Sequence, residues 1–87
     1  MQRAMQDDNV RIGLVLDGVD RLVAPKWVWW DGKTYRVREV GQIYSEQRGL
    51  RKVHCFALNV GALDMLIQVD SHSFAPTLVW ISDGLPD

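Results

Sequence analysis

Cysteine is nearly absent from this 87-residue chain, which has one, Cys55. A single thiol excludes an internal disulfide and fits a reducing compartment. No apolar run approaches the roughly 18 residues that a membrane-spanning helix needs. The amino terminus is polar and lacks the hydrophobic centre of a secretion signal. We therefore expect a cytoplasmic protein that does not associate with membranes.

Basic residues are absent after Lys52, although the net charge of the whole chain is only −1. Residues 33–52 carry six Lys or Arg against two Glu, whereas residues 53–87 carry four Asp and no Lys or Arg. The two segments could pair within one chain or between chains, or the basic one could bind an anionic ligand. Solvated strand faces and loops are the alternative explanation.

The usual signatures of catalysis are also lacking. There is no phosphate-binding loop and no dinucleotide fingerprint. His54 and Cys55 are neighbours, so in a strand they point to opposite faces, which disfavours a nucleophile pair. Asp70, Ser71 and His72 are close along the chain, but this is not the geometry of a triad, and two histidines are a weak metal signal. We expect no enzyme activity, no catalytic residue, no metal and no cofactor.

The strongest positive signal is a tryptophan-rich hairpin. Three of the four tryptophans lie in residues 27–30, just before Asp31-Gly32. Asp-Gly favours tight hairpin turns because these turns need positive φ angles. The sequence predicts one strand over 26–30 and a second strand that starts near Lys33.

Several other short segments alternate between apolar and polar residues in the same way. We predict strands over residues 10–16, 53–60, 63–70 and 77–82, a short return strand or loop over 19–23, and a polar loop over 45–51. A bulge or bend near Arg38-Glu39, eased by Gly41, would restore the alternation after the hairpin. Residues 1–9 are expected to be a flexible arm, and residues 10–87 a single mainly-β domain. Its architecture would be a small antiparallel barrel or a strongly bent sheet of five to six strands.

The first hairpin strand has two apolar faces, and this needs an explanation. If Val28 and Trp30 face the core, Trp27 and Trp29 form an aromatic ridge on the other face. The ridge could be covered by residues 19–24 or by the amino-terminal arm. It could also be a contact surface for a second copy or for another protein, because exposed aromatic patches mark interfaces.

We favour self-association of a non-enzymatic interaction module. The contact candidates are Trp27 and Trp29, with Arg36 and Arg38 flanking them. The alternative is a single-stranded nucleic-acid module that uses the same ridge with Lys33, Arg36 and Arg38, since such modules combine aromatic platforms with basic grooves. The slightly negative net charge weakens that alternative.

The hairpin resembles a family of small bacterial domains of unknown function. Five residues carry this resemblance, at the family's spacing: Pro25, Trp30, Gly32, Tyr35 and Val37. Val28 stands where the family more often has an aromatic residue, and the spacing of the last two strands also departs from the family pattern. The segment 63–66, with Trp80 and Asp83, is similar to the family's closing hairpin. Such domains also occur near the carboxyl end of some accessory DNA-repair polymerases. The resemblance implies a β fold and a link to DNA metabolism, and no activity.

Overall fold

The protein is almost entirely strand. The computed structural model describes residues 2–13, 15–16 and 22–83, and the secondary structure in these residues is β without helix. This confirms the predicted mainly-β class. Its strands are β1 (Gln2–Asp7), β2 (Val10–Ile12), β3 (Val15–Leu16), β4 (Leu22–Val23), β5 (Trp27–Trp30), β6 (Lys33–Arg36), β7 (Glu39–Arg48), β8 (Arg51–Asn59), β9 (Asp64–Asp70) and β10 (Pro76–Ser82).

The strands form two main antiparallel sheets and a small ladder. The larger sheet has the order β1-β10-β9-β8-β7, the smaller has the order β2-β5-β6, and β3 pairs with β4. The last long strand, β10, lies between β1 and β9, as its apolar residues on both faces predict. The sheets do not close into a barrel, so the bent-sheet alternative is the one that fits.

The hydrophobic core lies between the two main sheets. Val28 of β5 is fully buried, and it belongs to one cluster with Phe56, Ile67 and Leu78 of the larger sheet. Burying such a side chain stabilises a fold by roughly 1.5–3 kcal/mol. The core therefore fixes which face of the β5-β6 hairpin points outward.

The tryptophan hairpin forms as the sequence predicts. Trp30 pairs with Lys33, so Asp31 and Gly32 are the whole loop. Both have positive φ angles, 52° and 77°. Positive φ at both loop positions is the conformation for which Asp-Gly is selected.

The amino-terminal segment is ordered into the sheet, contrary to the expectation of a flexible arm. Gln2–Asp7 form β1, which pairs with β10. Met5 packs against the core, and Trp30 Nε1 donates a hydrogen bond to Asp7 Oδ2 at 3.1 Å. The segment is polar because β1 is an edge strand with one solvent-exposed side, and the same polar composition suggested a flexible arm.

The prediction of a polar loop over residues 45–51 is wrong. Residues 45–48 continue β7, and Arg48 pairs with Arg51 across the two-residue turn Gly49-Leu50. Gly49 has a φ of 63°, which permits this tight turn. Polar side chains here reflect an exposed strand rather than a loop.

The predicted irregularity after the hairpin is present, although it is spread over a longer stretch. β6 ends at Arg36, β7 begins at Glu39, and the pairing with β8 shifts register between Val40 and Gln42.

The strand predicted over 10–16 is divided into β2 and β3. Most of the 19–23 segment lies outside the described residues. In the described part of the chain, no helix has the length and apolarity to cross a membrane.

Candidate functional site

The outer face of the three-stranded sheet carries the two tryptophans that the sequence singled out. In the strand register, Trp29 lies between Arg11 and Thr34, and Trp27 lies opposite Arg36. Directly opposite residues of an antiparallel pair point to the same side of a sheet. We call the surface formed by Arg11, Trp27, Trp29 and Arg36 the aromatic face.

Trp27 is the more exposed of the two tryptophans of this face, with 40% of its surface accessible. Its indole lies directly over the backbone of Gly13. A Cβ atom added at Gly13 would be only 2.3 Å from Trp27 Nε1. Glycine at this position therefore makes room for the indole, which stays partly open to solvent.

Trp29 is half-buried because a neighbouring side chain covers it. The guanidinium carbon of Arg11 lies 5.6 Å from the centroid of the Trp29 ring. This is cation–π distance, an interaction worth about 0.5–1 kcal/mol at an exposed site. The cover comes from β2 rather than from the amino-terminal segment, whose Asp7 bonds Trp30 on the opposite face.

A third aromatic side chain, Phe74, lies beside the face, and the sequence analysis missed it. Phe74 is 41% exposed and has a φ of 60°, in the left-handed region. Bulky residues rarely adopt this conformation, and such strain is concentrated at functional positions. The available signal was a large aromatic residue that directly follows three polar residues, Ser71, His72 and Ser73, in the loop before β10.

Trp27 and Phe74 line one open cleft of about 340 Å³. The remaining lining residues are Val10, Arg11, Ile12 and Pro76. The cleft therefore has apolar walls, two exposed aromatic rings and one cation at its rim. Binding sites commonly combine mostly apolar walls with a few polar groups that fix orientation.

The structure brings only some of the predicted site residues together. Arg36 lies beside Trp27 on the aromatic face. Lys33 pairs with Trp30, so it lies on the other side of the hairpin. Arg38 lies beyond the end of β6, where its amide donates to the Asn59 carbonyl at 2.8 Å and its side chain lies near Gly61. Lys33 and Arg36 are three residues apart on β6, so alternation along that strand places them on opposite faces, and the break after β6 separates Arg38 from both.

The loop that carries Phe74 is held by one carboxylate. Asp70 Oδ1 accepts the backbone N–H groups of Ser73 at 3.0 Å and His72 at 2.8 Å, and Oδ2 accepts Arg51. These bonds, led by the one from Ser73, lower the pKa of Asp70 to about 2. Phe74 N also donates to the Asp70 carbonyl at 2.9 Å. Asp70 thus fixes the loop instead of serving as a proton carrier.

His54 and Cys55 face opposite sides of β8, as strand alternation predicts. His54 Nδ1 lies 3.2 Å from Ser45 Oγ, and Cys55 is buried on the other face. Burial, followed by the charge of Glu46, raises the pKa of the Cys55 thiol, which makes it a poor nucleophile. In residues 2–13, 15–16 and 22–83, no three His, Cys, Asp or Glu side chains are grouped as metal ligands would be.

A larger cleft, of about 520 Å³, lies near the β7-β8 turn and shares Pro76 with the first cleft. Its charges bond to nearby groups: Arg51 to Asp70, and Arg48 to Glu46 at 3.1 Å. Asp8 Oδ1 also accepts the Thr77 hydroxyl at 2.7 Å. Because these groups are engaged, the aromatic face is the stronger candidate for a contact surface.

The resemblance of the hairpin to the bacterial domain family stays a prediction, because comparisons with protein-family models, curated proteins and solved structures find no significant match to this chain.

Proposed function

We propose that this chain is a non-enzymatic, cytoplasmic interaction module that self-associates through the aromatic face. One observation carries the proposal: two exposed aromatic side chains, Trp27 and Phe74, flank an open cleft with apolar walls. Aromatic residues seated beside pockets are the usual energetic centres of protein interfaces.

A twofold-symmetric contact between two copies of the chain is compatible with this arrangement of rings and cleft. Such an interface uses the same patch on both copies, so it must be complementary to itself. The aromatic face contains an exposed ring, Trp27, and beside it lies a cleft that can receive a ring. Arg11 and Arg36 can lie over aromatic rings of the partner copy, so the two cations need not face each other.

The test is the molar mass of the double variant Trp27→Ala/Trp29→Ala. We expect a lower mass than that of the unmodified chain over a dilution series in light scattering, with an unchanged far-ultraviolet spectrum. Leu50→Ala is the control, because Leu50 is a fully exposed apolar residue of the β7-β8 turn and belongs neither to this face nor to the lining of its cleft. An unchanged mass in the double variant would refute the proposal.

A second candidate function is binding of single-stranded nucleic acid by the same face. The observation that favours it is the placement of Arg11 beside Trp29 and of Arg36 beside Trp27. Stacking on an aromatic ring contributes about 1–3 kcal/mol per base, and flanking cations contact the phosphates. Arg11 takes the place of Lys33, which lies on the other side of the hairpin.

This candidate predicts that an oligonucleotide quenches tryptophan fluorescence at low salt. Arg36→Gln should weaken binding and reduce the slope of log affinity against log salt by about 0.7, the value for one phosphate contact on a single strand. Lys33→Gln is the matched control, with the same charge change on the opposite face of the same hairpin. Absence of quenching at low salt, or equal effects of the two variants, would exclude this mode of binding.

A further inference from the structure

A row of apolar side chains crosses the larger sheet and continues to its outer edge. In the strand register, Leu78 of β10, Ile67 of β9, Phe56 of β8 and Ile43 of β7 lie side by side. The first three are at most 1% exposed, whereas Ile43 is 61% exposed. The core face of the sheet therefore ends in an uncovered isoleucine.

The strand that carries Ile43 has an unpaired outer edge among the described residues. β7 has ten residues, and the segment Gln42–Arg48 pairs with β8 without interruption. It contains neither lysine nor proline, the residues with which proteins usually protect exposed edges. A regular edge of this length presents a row of backbone donors and acceptors to another strand.

The other edge strands of the two main sheets, in the described part of the chain, are irregular or short. β1 has a register shift between Ala4 and Asp7, and Gln6 has a φ of 50°. β2 and β6 have only three and four residues. Irregular or short edges offer little for a further strand to pair with. Among the described strands, β7 therefore has the edge that is best suited to pair with a further strand.

The Gln42–Arg48 segment is suited to pairing with itself. Its charges, Glu46 and Arg48, sum to zero, so two copies do not repel each other. When two copies pair antiparallel about a twofold axis, directly opposite residues point to the same side of the joined sheet. The exposed side chain of Ile43 therefore lies on the side that continues the core face of the second copy. Pairing would bury Ile43 and extend the apolar row across both chains.

We propose that β7 is a dimerisation edge, at which the Gln42–Arg48 segments of two copies pair antiparallel and join their sheets into one. This contact lies on the larger sheet and is independent of the self-association proposed for the aromatic face. Its occupant is a second copy of the chain, and its chemistry is backbone hydrogen bonding together with burial of Ile43.

The test compares Ile43→Lys with Leu50→Lys, both made in the Trp27→Ala/Trp29→Ala background so that the aromatic face does not contribute. Each change replaces an exposed aliphatic residue of the same hairpin with lysine, but only Ile43 lies on the paired segment. We expect Ile43→Lys to raise the dissociation constant from light scattering by at least about tenfold, the effect of losing a single good contact. Leu50→Lys should leave it unchanged.

Amide hydrogen exchange provides the second measurement. Outward-facing amides of Gln42–Arg48 should gain protection as the concentration rises and lose it in Ile43→Lys. Equal dissociation constants for the two variants would overturn the proposal, as would protection that does not depend on concentration. A background variant that stays monomeric would also overturn it, in favour of an extended segment of another protein as the occupant of the edge.

Discussion

At the scale of single residues, Asp70 illustrates how one carboxylate can organise a loop. Its bonds to the amides of His72 and Ser73 close the turn, and its bond to Arg51 ties the turn to β8. Phe74 follows directly, in a conformation that bulky residues avoid. The position of the exposed ring beside the aromatic face therefore depends on the Asp70 carboxylate, which is not part of that face.

Asp70 also makes the stability of the protein depend on pH in the acid range. Its pKa of about 2 is below the value of roughly 3.9 expected in the unfolded chain. The stabilisation is therefore complete above the unfolded pKa and is lost as the pH falls through the folded pKa. We expect Asp70→Asn to lower the urea midpoint at pH 6, and the difference from the unmodified chain to shrink as the pH approaches 2.

Equal midpoint differences at pH 6 and pH 2 would contradict this account, because a loss that is independent of pH cannot come from the carboxylate charge. Fluorine resonances from fluorophenylalanine at Phe74 provide a separate readout of the loop. We expect the signal of Phe74 to shift toward that of the unfolded chain in Asp70→Asn.

At the scale of elements, the tryptophan hairpin depends on two glycines that act in different ways. Gly32 supplies the positive φ of the turn. Gly13 instead supplies space, because the indole of Trp27 occupies the volume that a side chain there would fill. The first requirement is visible in the sequence as Asp-Gly. The second arises only once β2 lies beside β5.

Gly13→Ala should therefore displace the Trp27 ring without altering the hairpin itself. We expect red-shifted tryptophan emission and stronger quenching by acrylamide than in the unmodified chain, since the ring must swing toward solvent. Gly41→Ala is the matched control, because a Cβ there would meet the Ala57 carbonyl oxygen at 3.6 Å, an ordinary contact. Unchanged emission in Gly13→Ala would mean that the ring does not rest on this glycine.

At the scale of the whole molecule, the two proposed contacts lie on different sheets. The aromatic face belongs to the three-stranded sheet, and the β7 edge belongs to the five-stranded sheet. A chain with two independent twofold contacts assembles beyond a dimer, either as a closed tetramer or as an open series. Removal of one contact should leave a dimer, and removal of both should leave a monomer.

This expectation can be checked by light scattering on three variants. Trp27→Ala/Trp29→Ala and Ile43→Lys should each reduce the mass to that of a dimer, and the triple variant should have the mass of one chain, 10.0 kDa. A monomer after Trp27→Ala/Trp29→Ala would exclude pairing through β7, and a monomer after Ile43→Lys would exclude self-association through the aromatic face.

The sequence by itself determined the features that depend on near neighbours. Asp31-Gly32 dictates its turn through backbone conformation, and alternation along β5 places Val28 inside and Trp27 outside. The alternation of apolar and polar residues in several short segments determined the mainly-β class. These features could be predicted because each depends on residues that are only a few positions apart in the sequence.

Only the tertiary structure decided the features that depend on pairing across the chain. Register places Arg11 over Trp29, because alternation within one strand does not reveal which strand lies beside it. Phe74 reaches the aromatic face only through the turn that Asp70 holds. Residues 45–48 look like a loop in sequence but form an edge strand, since an exposed strand and a loop carry the same polar residues, and only the partner strand distinguishes them.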